Sequence, residues 1–316
     1  MSMMSPDLAV LAHKARSIRE AGFALVIASG VLAVFLFIPL TPHRGEERAP
    51  VTENPPTVAL VVAPLAAQAA IIYDITTGQT LYEKNADAQL PLASLTKLLT
   101  VYAALSELPR ETPIAISAAA ASAEYPHAFA PNETLMLGDI ARLTLTASLN
   151  DGAAAIAEAT AEHQQRSTAD MLAGAASALG LSATYALNGN GLDVSAAVSG
   201  GYGSAHDIAR LAGALAMSAP DIALATTLES TSATSAGGTT YRVKNTDPIA
   251  GTVPRLLLSK TGYTDLAGGN LALVFDAGIH HPIAVIVLGA SKDSRFTDGM
   301  ALVAAALAHF AGTSSL

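Results

Sequence analysis

The chain has 316 residues, of which 51% are hydrophobic and 14% charged, so it can bury the core of a sizeable domain. Its formal net charge is −9 and it contains no block of lysine and arginine, which argues against a nucleic-acid-binding protein. It has no cysteine, which excludes disulfides, thiol nucleophiles and thiolate metal sites.

The first predicted element is a membrane-spanning helix. Residues 21–40, AGFALVIASGVLAVFLFIPL, carry no charge, and a helix of that length rises about 30 Å, close to the hydrocarbon thickness of a bilayer. Lys14, Arg16 and Arg19 precede it, as expected of a flank that stays in the cytoplasm. No small-residue cleavage site follows Leu40 directly, so we expect an uncleaved anchor. The alternative is a cleaved signal peptide and a secreted protein.

This helix divides the chain into four predicted parts. Residues 1–20 form a cytoplasmic segment, 21–40 the transmembrane anchor, and 41–57 a proline-rich linker, which we expect to be extended. Residues 58–316 form the functional domain. We therefore expect a single-pass protein of the cell membrane, with its domain on the extracytoplasmic (periplasmic or outer) side.

Beyond the linker, the hydrophobic period predicts a hairpin over residues 70–85 with a turn at Gly78, then helices, then strands. The predicted helices cover 94–108, 138–148, 151–163, 167–180, 204–216 and 295–311, and the later predicted strands cover 239–245, 255–264, 270–278 and 282–291. This order predicts an α+β domain in which the N- and C-terminal segments share one antiparallel sheet, with a helical subdomain (about 98–225) inserted between them.

A Ser-x-x-Lys motif lies in the stretch PLASLTKLLT, residues 91–100. Ser94 and Lys97 are spaced i, i+3 and so share one face of the predicted helix. A serine hydroxyl is a weak nucleophile, and a lysine desolvated by apolar neighbours can be neutral enough to take its proton. A solvent-facing lysine beside a helix cap would give the same pattern.

A Ser-x-Asn motif lies in ASLNDG, residues 147–152, at the junction of two predicted helices. From such a turn, Ser148 could pass a proton to a leaving amine and Asn150 could hold a substrate amide. An ordinary N-cap for the second helix is the structural alternative.

A Lys-Thr-Gly motif interrupts the apolar strand LLLSKTGYT, residues 256–264. Lys260 and Thr261 could offer a charge and a hydroxyl to a substrate carboxylate, and Gly262 would let a ligand backbone lie close to the strand. An edge strand with a protective lysine is the structural alternative.

The three motifs in this order are those of penicillin-binding proteins and class A β-lactamases. The chain resembles the serine-type D-alanyl-D-alanine carboxypeptidases, the low-molecular-mass penicillin-binding proteins of peptidase family S11. The resemblance runs from about Ala59 to the end of the chain, and it includes NGNGLDV (188–194), KNTDPI (244–249) and KTGYTDLAGGNLA (260–272). It implies the β-lactamase/DD-peptidase-like fold.

The resemblance also implies the activity and the site. We expect a hydrolase of cell wall biogenesis and cell shape that removes the terminal D-Ala from peptidoglycan stem peptides, needs no cofactor or metal, and is inhibited covalently by β-lactam antibiotics. The implied site residues are Ser94 (nucleophile), Lys97 (general base), Ser148 (proton relay), Asn150, Lys260, Thr261 and Gly262 (substrate binding), and the N–H groups of Ser94 and Tyr263 (oxyanion hole).

Other interpretations stay open at this point. A DD-endopeptidase of the same family, which cuts D-amino acid crosslinks, is one alternative; a non-catalytic penicillin receptor and a membrane-anchored interaction protein are two others. A class A-like β-lactamase needs a further carboxylate for deacylation. Glu158 and Glu162 are predicted on the outer face of a helix, and the loop after Gly180 offers Asp193 but no glutamate.

Overall fold

The computed structural model describes residue 60 and residues 62–278 and 280–313. These residues form one compact unit. The predicted cytoplasmic segment, anchor and linker (1–57) lie outside the described residues. Within the described part, no helix is both long enough and apolar enough to cross a membrane.

The described domain begins with strands, continues with helices and short strands, and ends with three long strands and a helix. The strands are β1 (Ala69–Asp74), β2 (Thr80–Lys84), β3 (Leu90–Pro91), β4 (Pro113–Ala115), β5 (Thr134–Met136), β6 (Tyr185–Ala186), β7 (Gly201–Gly203), β8 (Ser230–Thr234), β9 (Thr240–Lys244), β10 (Leu256–Thr264), β11 (Gly268–Asp276) and β12 (Pro282–Ala290). The helices are α1 (Thr96–Glu107), α2 (Ala118–Ala121), α3 (Leu137–Ala147), α4 (Asn150–Gln164), α5 (Thr168–Ala178), α6 (Ala205–Ser218), α7 (Pro220–Ala225) and α8 (Ser294–Thr313).

A five-stranded antiparallel sheet joins the two ends of the domain, in the order β10-β11-β12-β1-β2. Both of its faces are covered, so alternate residues of one strand enter different cores. In β11, Ala272 and Val274 join the core that contains α1, whereas Leu271 and Leu273 join the core beneath α8. This explains why the strand is apolar throughout rather than alternating with polar residues. The prediction that N- and C-terminal segments share one sheet is confirmed.

The helical subdomain, α1 to α7, lies between β2 and β10 in the chain. Its central helix is α1, which packs against α3, α4, α5 and α6 and is buried on almost every side, Lys97 included. The predicted strand over residues 239–245 is present as β9, but it pairs with β8 in a separate two-stranded ribbon and does not join the five-stranded sheet.

A buried carboxylate ties the β1–β2 turn to the start of β12. Asp74 is 4% exposed, and its Oδ2 lies 2.7 Å from His281 Nε2 while its Oδ1 accepts the N–H groups of Thr76 and Thr77. Burial raises the pKa of Asp74, but the hydrogen bonds from His281 and Thr77 outweigh burial and lower it below the ordinary value of 3.8. The folded state therefore stabilises the ionised form of Asp74 relative to the unfolded chain.

We predict that Asp74→Asn lowers the free energy of unfolding by about 2 kcal/mol at pH 7, because it removes the charge from these hydrogen bonds. Because the folded-state pKa is lowered, the stabilisation is fully present above about pH 4 and is lost as the pH falls through the folded-state value. Urea unfolding between pH 2 and pH 7 measures this difference.

Asp87→Asn is the matched control, since Asp87 pairs with His206 at 3.3 Å but its side chain is 85% exposed. This exposed pair should contribute less than about 1 kcal/mol. Equal losses in the two variants, or a loss for Asp74→Asn that persists below the folded-state pKa of Asp74, would contradict the assignment.

Candidate active site

Ser94 lies on a tight turn that leads into α1. We predicted a helix from Ser94; instead, a 3₁₀ turn covers Ala93–Leu95 and the α-helix starts at Thr96. Ala93 has φ +47°, a left-handed conformation that is strained for any residue except glycine. The loop carrying Gly191 holds it there: a Cβ on Gly191 would lie 2.0 Å from the Ala93 carbonyl oxygen. The nucleophile candidate therefore sits on a conformation that its surroundings enforce.

The Lys97 amine lies 2.7 Å from each of three oxygens: Ser94 Oγ, Asn150 Oδ1 and the Asn190 carbonyl. A neutral amine has two N–H donors and one lone pair. Because a carbonyl and an amide oxygen can only accept, they take the two donors, and the lone pair faces the Ser94 hydroxyl. After proton transfer, the same three oxygens accept the three donors of the ammonium. The three oxygens therefore satisfy the hydrogen-bonding groups of Lys97 both as a neutral amine and as an ammonium.

Burial favours the neutral form of the Lys97 amine. The side chain is 0% exposed, which removes the alternative of a solvent-facing lysine. Burial and the neighbouring Lys260 charge lower the pKa of Lys97 well below its ordinary value of 10.5, and the Asp151 carboxylate opposes them. A general base needs its neutral form near the working pH, and burial and the Lys260 charge shift Lys97 towards that form.

Ser148 and Asn150 project from the short connection between α3 and α4, as predicted. Ser148 ends α3 in a left-handed conformation with φ +59°, and Asn150 opens α4. Asn150 is not a simple N-cap: its Oδ1 accepts from Lys97 and its Nδ2 donates to the Glu124 carbonyl at 2.9 Å. An amide nitrogen carries two donors, so Asn150 can serve Glu124 and a substrate carbonyl together.

Lys260 lies inside the protein, although β10 is the edge strand of the sheet. A protective lysine would be exposed, whereas Lys260 is 1% exposed. Its Nζ donates to Ser148 Oγ at 2.8 Å and to the Thr261 carbonyl at 2.6 Å. Burial and the charge of Arg295 lower the pKa of Lys260 to about 7, and Asp247 opposes them. The second motif therefore contacts the third through Ser148 and the first through Asn150.

Strand β10 passes directly beside the Ser94 turn. A Cβ on Gly262 would lie 3.0 Å from the Leu92 carbonyl oxygen and 3.2 Å from the Ser94 nitrogen, so a side chain there would push the two elements apart. Tyr263, whose N–H is expected to belong to the oxyanion hole, is the next residue of the strand. Thr261 is held by a hydrogen bond of 2.7 Å between its Oγ1 and that of Thr246.

The structure adds residues that the motifs did not indicate. Asn190, Glu124 and Thr246 all contact motif residues, and Arg295 donates to the Gly262 carbonyl. Asn190 and Thr246 lie in the segments NGNGLDV and KNTDPI, whose likeness to the S11 peptidases is the one sequence signal for them. Backbone carbonyls such as those of Glu124 and Asn190 leave no trace in a sequence pattern.

A cleft of about 530 Å³ lies beside these residues and is lined in part by Glu124, Asp193 and Tyr263. Asp193 accepts hydrogen bonds from Thr264 Oγ1 and the Leu266 N–H, which fix it as a structural link. Glu158 and Glu162 are both exposed on α4, on the outer face as predicted.

The chain is similar to known peptidases in sequence and in fold. The family model Peptidase S11, D-alanyl-D-alanine carboxypeptidase, matches residues 53–292. The D-alanyl-D-alanine endopeptidase of Pseudomonas aeruginosa is 30% identical over 276 residues, which are 85% of this chain and 85% of that protein. The fold of this chain is similar to that of the D-alanyl-D-alanine carboxypeptidase of Mycobacterium tuberculosis. The TM-score is 0.69 and the identity 24%, over 80% of this chain and 95% of that one.

A second solved structure is similar as well. Penicillin-binding protein D2 of Listeria monocytogenes, in the ampicillin-bound form, has a TM-score of 0.62 and 26% identity, over 77% of this chain and 98% of that one. Together with the five-stranded antiparallel sheet, these likenesses confirm the predicted α+β fold of the DD-peptidase type.

We predict that Lys97→Met slows modification of Ser94 by a fluorophosphonate reagent by about 10²- to 10⁴-fold, because the general base is lost. In the unaltered protein, the rate should rise with pH as Lys97 deprotonates, well below the ordinary value of 10.5. Stopped-time labelling followed by mass spectrometry between pH 5 and pH 11 measures both.

Lys84→Met is the control for this experiment. Lys84 also donates to a backbone carbonyl, that of Leu65, but lies on β2, at the opposite edge of the sheet from β10. It should label like the unaltered protein. Labelling of Lys97→Met at the unaltered rate would refute the role of Lys97 as base.

Proposed function

Because this chain belongs to the Peptidase S11 family of D-alanyl-D-alanine carboxypeptidases, we propose that it is a serine DD-carboxypeptidase. It removes the terminal D-Ala from peptidoglycan stem peptides through an acyl-Ser94 intermediate and is inhibited by penicillins. The observation that carries this proposal is the contact of 2.7 Å between Ser94 Oγ and a fully buried Lys97 amine. A neutral base in contact with a hydroxyl is the requirement for a serine nucleophile.

Acylation begins with attack of Ser94 Oγ on the carbonyl carbon of the D-Ala–D-Ala peptide bond. The serine proton passes to the lone pair of Lys97, and the carbonyl oxygen becomes an oxyanion. The N–H groups of Ser94 and Tyr263 stabilise this charge, which the substrate carbonyl carries only in part. Asn150 positions the peptide through the second donor of its Nδ2.

Expulsion of the terminal D-Ala requires a proton on its nitrogen. Ser148 gives its hydroxyl proton to the departing amine and takes one from Lys260, which lies 2.8 Å away. A pKa of about 7 suits Lys260 to this exchange near neutral pH. The C–N bond breaks, free D-Ala leaves, and the stem peptide stays on Ser94 as an ester.

Hydrolysis of the ester restores the site. A water molecule adds its oxygen to the ester carbonyl and gives a proton to Lys260 through Ser148. Lys97 returns its proton to Ser94 as the C–O bond breaks, so the peptide acid is released and both lysines regain their starting states.

The terminal carboxylate of the substrate is recognised by the Lys-Thr-Gly motif. The Lys260 ammonium supplies charge, and Thr261 supplies a hydroxyl that Thr246 orients at 2.7 Å. Gly262 lets the Ser94 turn approach the strand, because a Cβ there would lie 3.2 Å from the Ser94 nitrogen. A peptide that lacks a free terminal carboxylate would lose the charge-assisted hydrogen bonds made here.

The carboxylates near the site favour a peptidase over a β-lactamase. Glu158 accepts a hydrogen bond from Ser117 Oγ at 2.7 Å and is exposed on α4, and Asp193 is held by Thr264 and Leu266. Both carboxylates are therefore engaged in structural hydrogen bonds. The adduct with penicillin should therefore be long-lived.

A DD-endopeptidase that cuts D-amino acid crosslinks is the second candidate function. The observation that favours it is the 30% identity with the Pseudomonas aeruginosa endopeptidase over 85% of both chains. Both activities use the same acyl-serine chemistry and differ in the group that leaves.

We predict that the purified protein releases free D-Ala from a pentapeptide ending in D-Ala–D-Ala, and that Ser94→Ala abolishes the release because the attacking oxygen is lost. Chiral chromatography of the products measures this. Ser106→Ala is the control, since Ser106 lies on α1 as well but its Oγ is exposed and bonded to the Tyr102 carbonyl. Cleavage of crosslinked dimers without release from the pentapeptide would select the endopeptidase, and turnover by Ser94→Ala would refute both.

We propose in addition that residues 21–40 anchor the domain to the cell membrane from its extracytoplasmic side. The twenty uncharged residues and the preceding basic flank support this. The full chain should then be extracted from membranes by detergent but not by carbonate, and deletion of residues 1–40 should make it soluble. A mature protein whose N-terminus lies beyond residue 40 would instead establish a cleaved signal peptide.

A further inference from the structure

Arg295 is a buried charge to which the proposed reaction gives no direct contact with the substrate or the oxyanion hole. It lies in the first turn of α8, is 7% exposed, and forms no salt bridge within the described residues. Its Nη1 donates to the Gly262 carbonyl at 2.5 Å, whereas its Nε has no hydrogen-bond partner in the described part of the chain. Its other interactions are less direct: its Cζ lies 4.6 Å from the centroid of the Phe296 ring, and the Asp247 carboxylate opposes the lowering of its pKa by burial. Its contact with Gly262 is therefore the feature to explain.

The Gly262 carbonyl and the Tyr263 N–H belong to the same peptide group. A planar trans peptide points its C=O and N–H in opposite directions, so a donor to the oxygen lies across the strand from whatever the N–H faces. The N–H is the proposed oxyanion-hole donor. Arg295 thus contacts the carbonyl end of the peptide group whose N–H is proposed to face the substrate.

Arg295 and Ser94 approach strand β10 from opposite faces of the sheet. A Cβ on Gly262 would point at the Ser94 nitrogen, 3.2 Å away. A Cβ on Gly269, which pairs with Tyr263, would lie 3.2 Å from Arg295 Cδ. Paired residues of antiparallel strands share a face and successive residues alternate, so the two contacts are on different faces. Arg295 can act on the peptide without entering the cleft.

We propose that Arg295 is a positioning residue for the oxyanion hole, which holds the Gly262–Tyr263 peptide plane and polarises the Tyr263 N–H through the Gly262 carbonyl. This rests on the proposed function, because it assumes an acyl-Ser94 intermediate. A hydrogen bond from a charged donor draws electron density onto the carbonyl oxygen and makes the N–H of the same group a stronger donor. The polarised N–H then meets the oxyanion with its dipole already aligned.

The effect belongs to the chemical step rather than to binding. An oxyanion-hole donor gains most when the negative charge develops, and loss of a whole donor slows catalysis by about 10²- to 10³-fold. Removing Arg295 leaves the Tyr263 N–H in place but weaker and less well oriented. We therefore expect about a tenfold slower acylation rate constant with little change in the dissociation constant of the preceding complex.

The test compares Arg295→Met and Arg295→Lys with the unaltered protein, using benzylpenicillin at pH 6. Burial and Arg295 lower the pKa of Lys260 to about 7, so at pH 6 the Lys260 ammonium stays protonated in every variant. Quenched-flow mass spectrometry over a range of penicillin concentrations separates the acylation rate constant from the dissociation constant. Infrared difference spectroscopy with a ¹³C-labelled ester carbonyl reports the hydrogen bonding that the acyl oxygen receives.

Arg255→Met is the matched control. Arg255 directly precedes β10, and its Nε donates to the Asp276 carbonyl of β11 at 2.8 Å, at the other end of the same strand pair. The Arg255→Met substitution removes a guanidinium from a strand carbonyl and leaves the contacts of the Gly262–Tyr263 peptide unchanged. Its acylation rate constant and ester carbonyl frequency should match those of the unaltered protein.

The inference is supported if Arg295→Met acylates about ten times more slowly with its ester carbonyl at higher frequency, and Arg295→Lys restores most of the rate by keeping a charged donor. It is overturned if a folded Arg295→Met keeps both the rate constant and the frequency. If Arg295→Met does not fold, Arg295→Lys decides: a loss of rate with an unchanged carbonyl frequency overturns the inference. An unaltered protein that forms no ester refutes the proposed function first, and this inference with it.

Discussion

The Lys97 amine is buried completely within 2.7 Å of Ser94 Oγ, and a buried amine loses the water that would stabilise its charge. Much of the structure around it serves that one group. Helix α1 is enclosed by other helices on almost every side, which removes water. The Asn150 Oδ1 and the Asn190 carbonyl accept the two N–H donors of the neutral Lys97 amine, so that its lone pair faces Ser94.

The fold brings a second buried amine next to the first. Ser94 and Lys97 follow the N-terminal hairpin, whereas Lys260 lies on a strand more than half the chain later, and the shared sheet places them together. Besides burial, a neighbouring positive charge lowers the pKa of each lysine. The Lys260 charge lowers the pKa of Lys97, and the Arg295 charge lowers the pKa of Lys260. The Lys260 ammonium fits an anionic substrate terminus, and lowered pKa values at both lysines suit a reaction that moves protons between two amines.

The sequence predicted those features that depend on spacing. The i, i+3 relation of Ser94 and Lys97, the helix-to-helix turn at Ser148 and the shared sheet all follow from residue periods and turn residues. It could not predict that Ser148 contacts Lys260, because that pairing depends on how the sheet edge meets the helices. The left-handed Ala93 and the Asn190 carbonyl are set by packing of distant loops on the backbone. No sequence pattern distinguishes Arg295 from a surface arginine at a helix start.

The most direct test of the central claim is the intact mass of the protein during incubation with benzylpenicillin over several hours. A buried lysine base beside Ser94, with Glu158 and Asp193 held in structural hydrogen bonds, predicts an adduct of one penicillin per chain that persists for hours and is absent from Ser94→Ala. Rapid consumption of penicillin without an adduct would indicate a β-lactamase. Neither an adduct nor consumption would mean that the three motifs form a site without acyl-serine chemistry, and would contradict the account.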